Sequence, residues 1–143
     1  MSIGRILAMK GVEVFTTTPE QSLQDVAAEL VDRGVGALVV LDSSDEVVGL
    51  IGERDIVAAV ARHGPSALHG EVARHMHRNC KFVGEHDSID DASDTMTQER
   101  CRHLPVLRNG RLAGVVSIGD IVKYRIEMIE AERLALHQYI ASA

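Results

Sequence analysis

The residues from Ser117 to Asp120 have types and spacing suited to holding a small polar ligand. A strand is expected to end near Ser117 and a helix to begin near Asp120, while Gly119 lets another group approach the backbone closely. A carboxylate such as that of Asp120 suits the two adjacent hydroxyls of a ribose, and the free N–H groups of a helix start suit an anion. The alternative is that Asp120 only caps its helix.

The same pattern occurs earlier in the chain, around Asp55. Each aspartate is followed by Ile-Val and preceded, six residues earlier, by a glycine, which is Gly49 in the first copy and Gly114 in the second. The similarity extends backwards over complete segments, so the chain is one unit written twice. A single aspartate of this kind is more often a cap, but its recurrence with the glycine favours a ligand site.

Patterns for catalysis or metal binding are much weaker. No nucleophile elbow, Walker loop or GxGxxG motif stands out, so the sequence predicts no enzyme. The spacing of His75, His77 and Cys80 is not a recognised zinc signature, and we interpret this segment as a solvated connector. Cys80 and Cys101 form no CxxC pattern and require no disulfide, which favours a reduced, cytoplasmic protein.

Each copy is expected to fold as strand, helix, strand, strand, helix, which places the chain in the α/β (α+β) class. Apolar spacing, caps and turn residues support these elements. The predicted elements are a strand at Val14–Thr17, a helix capped by Ser22 and ended by Gly34 and Gly36, a hairpin of Ala37–Leu41 and Val47–Ile51, a helix at Asp55–Arg62, a short helical stretch around Val72–Met76, a helix capped by Ser88, a hairpin turn at Asn109-Gly110 and a last helix from Asp120.

Composition limits the classes of partner. The chain has 143 residues, of which 45% are apolar and 25% charged, which suits a soluble domain with a real core. A net charge of −6 argues against nucleic acid as a general partner, because such binding needs a basic face. No apolar run approaches the ~20 residues of a membrane span.

The last helix is expected to run from Asp120 to about Tyr139, beyond the small core beneath it. Its apolar stripe could pack on another subunit or fold back on the N-terminal segment Ile3–Met9, and we favour a homodimer. The stripe consists of Val122, Ile126, Ile129, Leu136 and Ile140, interrupted by Arg133.

Taken together, these residues resemble a tandem pair of CBS (cystathionine β-synthase) domains, a Bateman module of the stand-alone bacterial type. The resemblance implies two pseudo-symmetric βαββα repeats packed through their sheets, at 12–63 and 80–124. A connector at 64–79 and a helical extension at 125–143 complete the chain. The motifs that carry it are Gly49 with Glu53-Arg54-Asp55, Arg102-His103-Leu104-Pro105-Val106, and the run from Gly114 to Asp120.

Such pairs bind adenosine-containing ligands, so the resemblance implies AMP, ADP, ATP or NAD(H), and less readily S-adenosylmethionine, with no required cofactor. In the family the aspartate holds the ribose hydroxyls, the hydroxyl residue three positions before it assists, and the opposite repeat frames the adenine. Carried over by position, one cleft joins Thr16, Gly36, Ala37 and Leu38 to Ser117, Ile118, Gly119 and Asp120.

The second cleft departs from the family pattern at two positions. Gly52 stands where Ser or Thr is usual, and Phe82 stands where the strand Thr is usual. We therefore predict unequal sites, with the Asp120 cleft the better one for adenosine. The second cleft joins the Phe82 region, His103, Leu104 and Pro105 to Gly52, Arg54 and Asp55.

Three basic residues are candidates to contact phosphates, because a guanidinium matches phosphate oxygens in geometry and charge. They are Arg54, Arg102 and His103, and the alternative for both arginines is an ordinary solvated position. The expected function is a regulatory module that senses an adenine nucleotide and signals to an effector protein through a conformational change. The competing hypothesis is a dimeric scaffold that has lost its ligand.

Overall fold

The structure is a computed structural model that describes residues 2–11 and 13–142. Residues 12 and 143, where the expected first repeat begins and the expected extension ends, lie outside the described residues. Both repeats have the predicted element order, and one further helix precedes them. The elements are α1 (Ile3–Lys10), β1 (Thr16–Thr17), α2 (Leu23–Arg33), β2 (Ala37–Leu41), β3 (Val47–Gly52), α3 (Glu53–His63), β4 (Val83–Gly84), α4 (Ile89–Glu99), β5 (His103–Arg108), β6 (Arg111–Ser117) and α5 (Ile118–Ser142).

Each repeat contains a three-stranded sheet of the same topology. Strand β1 runs parallel to β2, which is antiparallel to β3, and β4, β5 and β6 repeat this arrangement. The predicted turn between β5 and β6 has φ values of 52° at Asn109 and 76° at Gly110. Two consecutive positive φ values are what a two-residue turn matching the strand twist requires. The predicted duplicated α/β fold is confirmed.

The helix ends show why these segments form helices. The hydroxyls of Ser22 and Ser88 each accept a hydrogen bond from the backbone N–H three residues later, at 3.1 and 3.0 Å, as predicted for N-caps. Helix α2 ends at Gly34, whose φ of 65° lies in the left-handed region. Arg100 adopts the same conformation after α4, with φ 53°, although it carries a side chain.

Several predicted bounds differ from the structure. Only Thr16 and Thr17 pair with β2, so the first strand is shorter than Val14–Thr17. Helices α3 and α5 begin two residues before Asp55 and Asp120, because each carboxylate reaches back to the end of the preceding strand. The connector forms two 3₁₀ turns, Pro65–His69 and Val72–Arg74, instead of one helical stretch. Helix α5 continues to Ser142.

The segment that precedes each repeat packs into the core of the other repeat. In repeat two, the buried Ile3, Ile6 and Leu7 of α1 join a core with the start of α5. In repeat one, the connector residues Val72 and Met76 join the corresponding core. Within residues 2–11 and 13–142, α1 packs against Ile121 and Tyr124 near the start of α5, and the stripe from Ile129 onward stays exposed instead of folding back onto α1.

Equivalent backbone hydrogen bonds join α1 to repeat two and the connector to repeat one. The N–H groups of Ile3 and Gly4 donate to the carbonyls of Asp87 and Glu85, at 2.9 and 2.7 Å. The corresponding connector bonds, at 2.8 and 2.9 Å, run from Val72 and Ala73 to Gln21 and Pro19. The exchanged segments tie the two repeats together along the backbone.

The recurrent glycines make room for these segments. A Cβ on Gly49 would lie 2.8 Å from the carbonyl oxygen of His77, and one on Gly114 would lie 2.8 Å from a methyl of Leu7. The glycines that favoured a ligand site in the sequence therefore have a packing role.

The two sheets meet through residues that point away from both cores. Side chains alternate along a strand, so Val39 and Pro105 face the side opposite to Leu38 and Leu104. All four are fully buried. Leu50, opposite Val39 in the hairpin, is also buried. Val39, Leu50 and Pro105 belong to neither core, and we infer from their burial that they pack between the two sheets. In the described part of the chain, no helix has the length and apolarity needed to cross a membrane.

Candidate ligand-binding clefts

One cleft lies between the end of β6 and the start of β2. The structure brings together Gly36 and Ala37 of repeat one with His103, Ser117 and Asp120 of repeat two. The cleft has a volume of about 300 Å³, and its other lining residues are Lys10, Glu13, Val14, Phe15, Gly34, Val35 and Val115. Residues from both repeats therefore contribute to one concave surface.

Asp120 is held by a reciprocal cap at the junction of β6 and α5. Its Oδ2 accepts a hydrogen bond from the Ser117 N–H at 2.8 Å, and its own N–H donates to the Ser117 hydroxyl at 3.1 Å. The first N–H of the helix, on Ile118, donates to the Arg102 carbonyl at 2.8 Å. Among the described residues, the other carboxylate oxygen of Asp120 has no hydrogen-bond donor. The cap and a ligand role are thus compatible, because capping uses Oδ2.

Lys10 also contacts Asp120. Its ammonium donates to Asp120 Oδ2 at 2.8 Å and to the Val115 carbonyl at 2.7 Å. Burial alone would raise the pKa of Asp120, but the hydrogen bonds from Lys10 and from the Ser117 N–H outweigh it and hold the pKa below its ordinary 3.8. Sequence reasoning missed Lys10, because nothing local links a residue to a partner so distant along the chain.

The second cleft surrounds Asp55 and shares Gly36, Ala37 and His103 with the first. Asp55 Oδ2 accepts a hydrogen bond from the Gly52 N–H at 2.8 Å, so Asp55 also caps its helix. Burial raises the pKa of Asp55 above its ordinary 3.8, although the bond from Gly52 lowers it. No lysine lines this cleft. Its volume is about 180 Å³, and its lining residues are Gly36, Ala37, Leu50, Gly52, Glu53, Arg54, Asp55, His77, Glu99, Arg100, Cys101, Arg102 and His103.

The candidate phosphate residues gather at the Asp55 cleft. Arg54 and Arg102 line it together with Arg100, which sequence reasoning did not select. Arg100 occupies the position that Gly34 has in repeat one, and this equivalence was available in the sequence. Glu53 and Glu99 line the same cleft, so its charge is mixed.

His103 lies between the two clefts and lines both of them. Its ring approaches the backbone of repeat one so closely that a Cβ on Gly36 would lie 3.1 Å from Nε2. Burial lowers the pKa of His103 below its ordinary 6.5, and the ammonium of Lys10 lowers it further, while Asp120 and Glu53 act in the opposite direction. A change in either cleft can therefore affect this imidazole.

The remaining candidate residues lie elsewhere or are covered. Thr16 and Leu38 line a separate depression with Thr17, Thr18 and Asp25, outside the Asp120 cleft. Pro105 is fully buried, and Ile118 is half exposed on the first turn of α5. A Cβ on Gly119 would meet only the Ser117 hydroxyl, at 3.6 Å. Leu104 is in the core, and Phe82 is exposed.

The histidine- and cysteine-rich segment forms no metal centre among the described residues. The rings of His63 and His75 lie 6.0 Å apart and are tilted by 58°. His77 instead donates to and accepts from Leu50 through its backbone, at 2.8 and 3.0 Å. This segment therefore holds the connector against β3.

The fold and the clefts define a class of protein, a duplicated α/β unit with two clefts between its copies. A family model described as CBS domain matches residues 6–62 and again residues 70–127. The chain belongs to the CBS-domain family and carries two CBS domains in tandem.

Similar proteins support this assignment. An uncharacterised 17.7 kDa protein of Acidianus ambivalens is 35% identical, over 81% of this chain and 70% of that one. The chain spans between 41% and 70% of the length of the first curated relatives it matches. The CBS-domain containing protein ATU1752 from Agrobacterium tumefaciens matches with a TM-score of 0.84 and 40% identity, over 87% of this chain and 92% of that one.

A third comparison concerns the CBS domain pair of protein MJ0100. Its structure was determined in complex with 5′-methylthioadenosine and S-adenosyl-L-methionine. It matches with a TM-score of 0.80 and 22% identity, over 90% of this chain and 98% of that one. At this identity the similarity shows a common fold.

Proposed function

We propose that this CBS pair is a regulatory module whose Asp120 cleft binds an adenosine nucleotide. The observation that carries the proposal is the Asp120–Ser117 cap facing Gly36 and Ala37 of the other repeat, with one carboxylate oxygen free. That oxygen is placed to accept from a ribose hydroxyl. The binding of adenosine-containing ligands by the CBS pair of MJ0100 supports the same ligand class.

Among such ligands we favour AMP, ADP, ATP or NAD(H) over S-adenosylmethionine. The three arginines at the Asp55 cleft, Arg54, Arg100 and Arg102, suit a polyphosphate or the second half of a dinucleotide. Because Gly36, Ala37 and His103 border both clefts, a ligand in one cleft has a direct route to influence the other.

The response follows from where the ligand would sit. A nucleotide that contacts both repeats stabilises the arrangement of repeats that it binds more tightly. An effector protein in the cytoplasm would then detect the altered arrangement. This role involves no catalytic step, and incubating the protein with each nucleotide that binds and assaying for products tests that expectation.

The second candidate function is a scaffold without ligand. It is favoured by one specific contact, the occupation of Asp120 Oδ2 by Lys10, and by Gly52 at the equivalent of Ser117 in the other cleft. In this case both aspartates act only as caps.

Thermal unfolding with added ligands separates the two functions. AMP, ATP, NADH and S-adenosylmethionine are each added to the wild-type protein and to the Asp120→Asn and Asp55→Asn variants. An amide oxygen can still cap, so both variants keep most of their helix stabilisation. A nucleotide at a hundredfold excess over its Kd should stabilise the wild type by about 2.7 kcal/mol.

We expect Asp120→Asn to lose this stabilisation and Asp55→Asn to retain most of it. If none of the four compounds stabilises the wild type, the scaffold function is supported. Equal loss in both variants would contradict the unequal clefts.

We also propose that the module forms a homodimer through α5. All residues from Ile129 to Ser142 are exposed, so the second half of the helix extends beyond the core of its own chain. The exposed residues follow a spacing of four and three, which is typical of helices that pair in a coiled coil. The stripe consists of Val122, Ile126, Ile129, Arg133, Leu136 and Ile140.

A further inference from the structure

The ion pair between Lys10 and Asp120 joins the last residue of α1 to the carboxylate of the proposed ribose site. The ammonium donates to Asp120 Oδ2 at 2.8 Å, and the side chains of Lys10 and Asp120 are 36% and 22% exposed. Helix α1 is anchored by Ile3, Ile6 and Leu7, which are buried in the core of repeat two. The backbone of Lys10 is therefore held in place, while its half-exposed side chain can change rotamer.

We propose that Lys10 is a specificity-determining residue that makes the Asp120 cleft select phosphorylated adenosine ligands over the uncharged nucleoside. The inference rests on the proposed function, since it concerns which adenosine ligand the same cleft accepts.

The preference for phosphorylated ligands follows from the number of hydrogen bonds that the Asp120 carboxylate can accept. Each carboxylate oxygen has two lone pairs, and Oδ2 of Asp120 already accepts from the Ser117 N–H and from Lys10. A ribose that donates both hydroxyls to the two oxygens needs one of these positions. The Ser117 N–H is fixed by the helix cap, so Lys10 is the donor that leaves.

The displaced ammonium is exposed enough to be hydrated, so its release breaks the ion pair without leaving a buried charge. Glu13 lines the same cleft, and Glu127 of α5 lines the adjoining depression with Lys10 and Lys123. A phosphate on the ligand supplies an acceptor inside the cleft and a charge-assisted bond. With a nucleoside that lacks a phosphate, Lys10 can turn only to these carboxylates or to water, and it adds no contact to the ligand.

The other cleft provides an internal comparison. The connector, which takes the place of α1 in the core of repeat one, contributes His77 to the Asp55 cleft. No ammonium lines the Asp55 cleft, and burial raises the pKa of Asp55. The lysine is thus a feature of one cleft and not a general requirement of the duplicated fold.

The test is calorimetric titration of AMP and of adenosine into four full-length proteins. These are the wild type, Lys10→Met, Lys10→Arg and Arg5→Met. Arg5 is an exposed cation on the same helix, so its loss changes the net charge equally. A folded state is verified for each variant by its thermal unfolding transition.

We expect Lys10→Met to weaken AMP binding by roughly tenfold to a hundredfold, the usual worth of a hydrogen bond to a charged group, while adenosine binds as well as before or better. Lys10→Arg should retain the preference for AMP, and Arg5→Met should leave both affinities unchanged.

Equal effects of Lys10→Met on AMP and adenosine would overturn this inference alone, and so would an unchanged preference for AMP. A wild-type protein that binds neither compound would overturn the proposed function, and this inference with it.

Discussion

At the scale of single residues, the two aspartates show how one sequence pattern acquires two chemical characters. Both cap a helix through Oδ2 at 2.8 Å, yet the pKa of Asp120 is lowered and that of Asp55 is raised. Burial acts on both in the same direction. Only Asp120 has the Lys10 ammonium and the Ser117 hydroxyl beside it, and their hydrogen bonds add to the backbone bond that both aspartates accept.

The lowered pKa of His103 predicts that the free energy of unfolding depends on pH. Its pKa in the folded state lies below the ordinary 6.5, so below pH 6.5 the unfolded chain binds more protons than the folded protein. The contribution of the neutral His103 side chain to the free energy of unfolding is therefore complete above pH 6.5. It is lost as the pH falls towards the pKa that His103 has in the folded protein. We therefore expect His103→Gln to reduce the loss of unfolding free energy between pH 7 and pH 5, measured by urea denaturation.

His137 provides the control for this measurement. It is exposed on the tail of α5, so His137→Gln should leave the pH dependence as in the wild type. A pH dependence that His103→Gln does not change would show that other groups cause it.

At the scale of elements, the helices α2 and α4 end on residues of different type, a glycine after α2 and an arginine after α4. Gly34 and Arg100 both adopt the left-handed conformation, which costs a residue with a Cβ roughly 1 kcal/mol or more. We expect Arg100→Gly to raise the free energy of unfolding by about this amount and Gly34→Ala to lower it similarly. Chemical denaturation of both variants tests this, and changes of the same sign would contradict it.

The exchanged segments give a second prediction at this scale. A methyl group on Gly49 meets the backbone carbonyl of His77, while one on Gly114 meets the mobile end of the Leu7 side chain, both at 2.8 Å. A side chain can move and a paired backbone cannot. Gly49→Ala should therefore destabilise by about 1–3 kcal/mol, and Gly114→Ala by less.

Thermal unfolding of these two alanine variants measures the difference. The double variant Gly114→Ala/Leu7→Ala, compared with Leu7→Ala alone, serves as a control, because without the Leu7 side chain the added methyl group meets no clash. A larger loss of unfolding free energy in Gly114→Ala than in Gly49→Ala would contradict the prediction, because it would show that the Leu7 side chain cannot move aside.

At the scale of the whole molecule, α5 links the cleft to the proposed dimer. Asp120 lies in its first turn, and the exposed stripe begins two residues later at Val122. A movement of the helix start on ligand binding would therefore reach the dimer contact directly.

Substitutions on two faces of α5 test the dimer. Leu136 is on the stripe, while Leu134 is equally exposed but lies off it, with exposed fractions of 59% and 60%. We expect Leu136→Glu to convert the dimer to a monomer in sedimentation equilibrium and Leu134→Glu to leave it unchanged. Arg133→Leu should strengthen the dimer, because it removes a charge from the seam. A wild-type monomer would contradict the proposal.

Much of the fold could be predicted from the sequence, because its signals are local. Ser22, Ser88, Gly34 and the Asn109-Gly110 turn each satisfy or bend the backbone within a few residues. The duplication was visible for the same reason, since each copy repeats these local signals. The aspartates at the two helix starts were likewise identified as caps and as candidate ligand residues.

Only the tertiary structure decided which distant residues meet. The exchange of α1 and the connector, the packing role of Gly49 and Gly114, and the placement of Arg100 at a cleft all depend on contacts between separate parts of the chain. The sequence by itself showed that Asp55 and Asp120 occupy equivalent positions, because the same preceding glycine and the same following Ile-Val accompany each of them. The sequence already distinguished their settings by Gly52 and Ser117. The structure added the ion pair of Lys10 with Asp120, which requires proximity in space and has no local signal in the sequence.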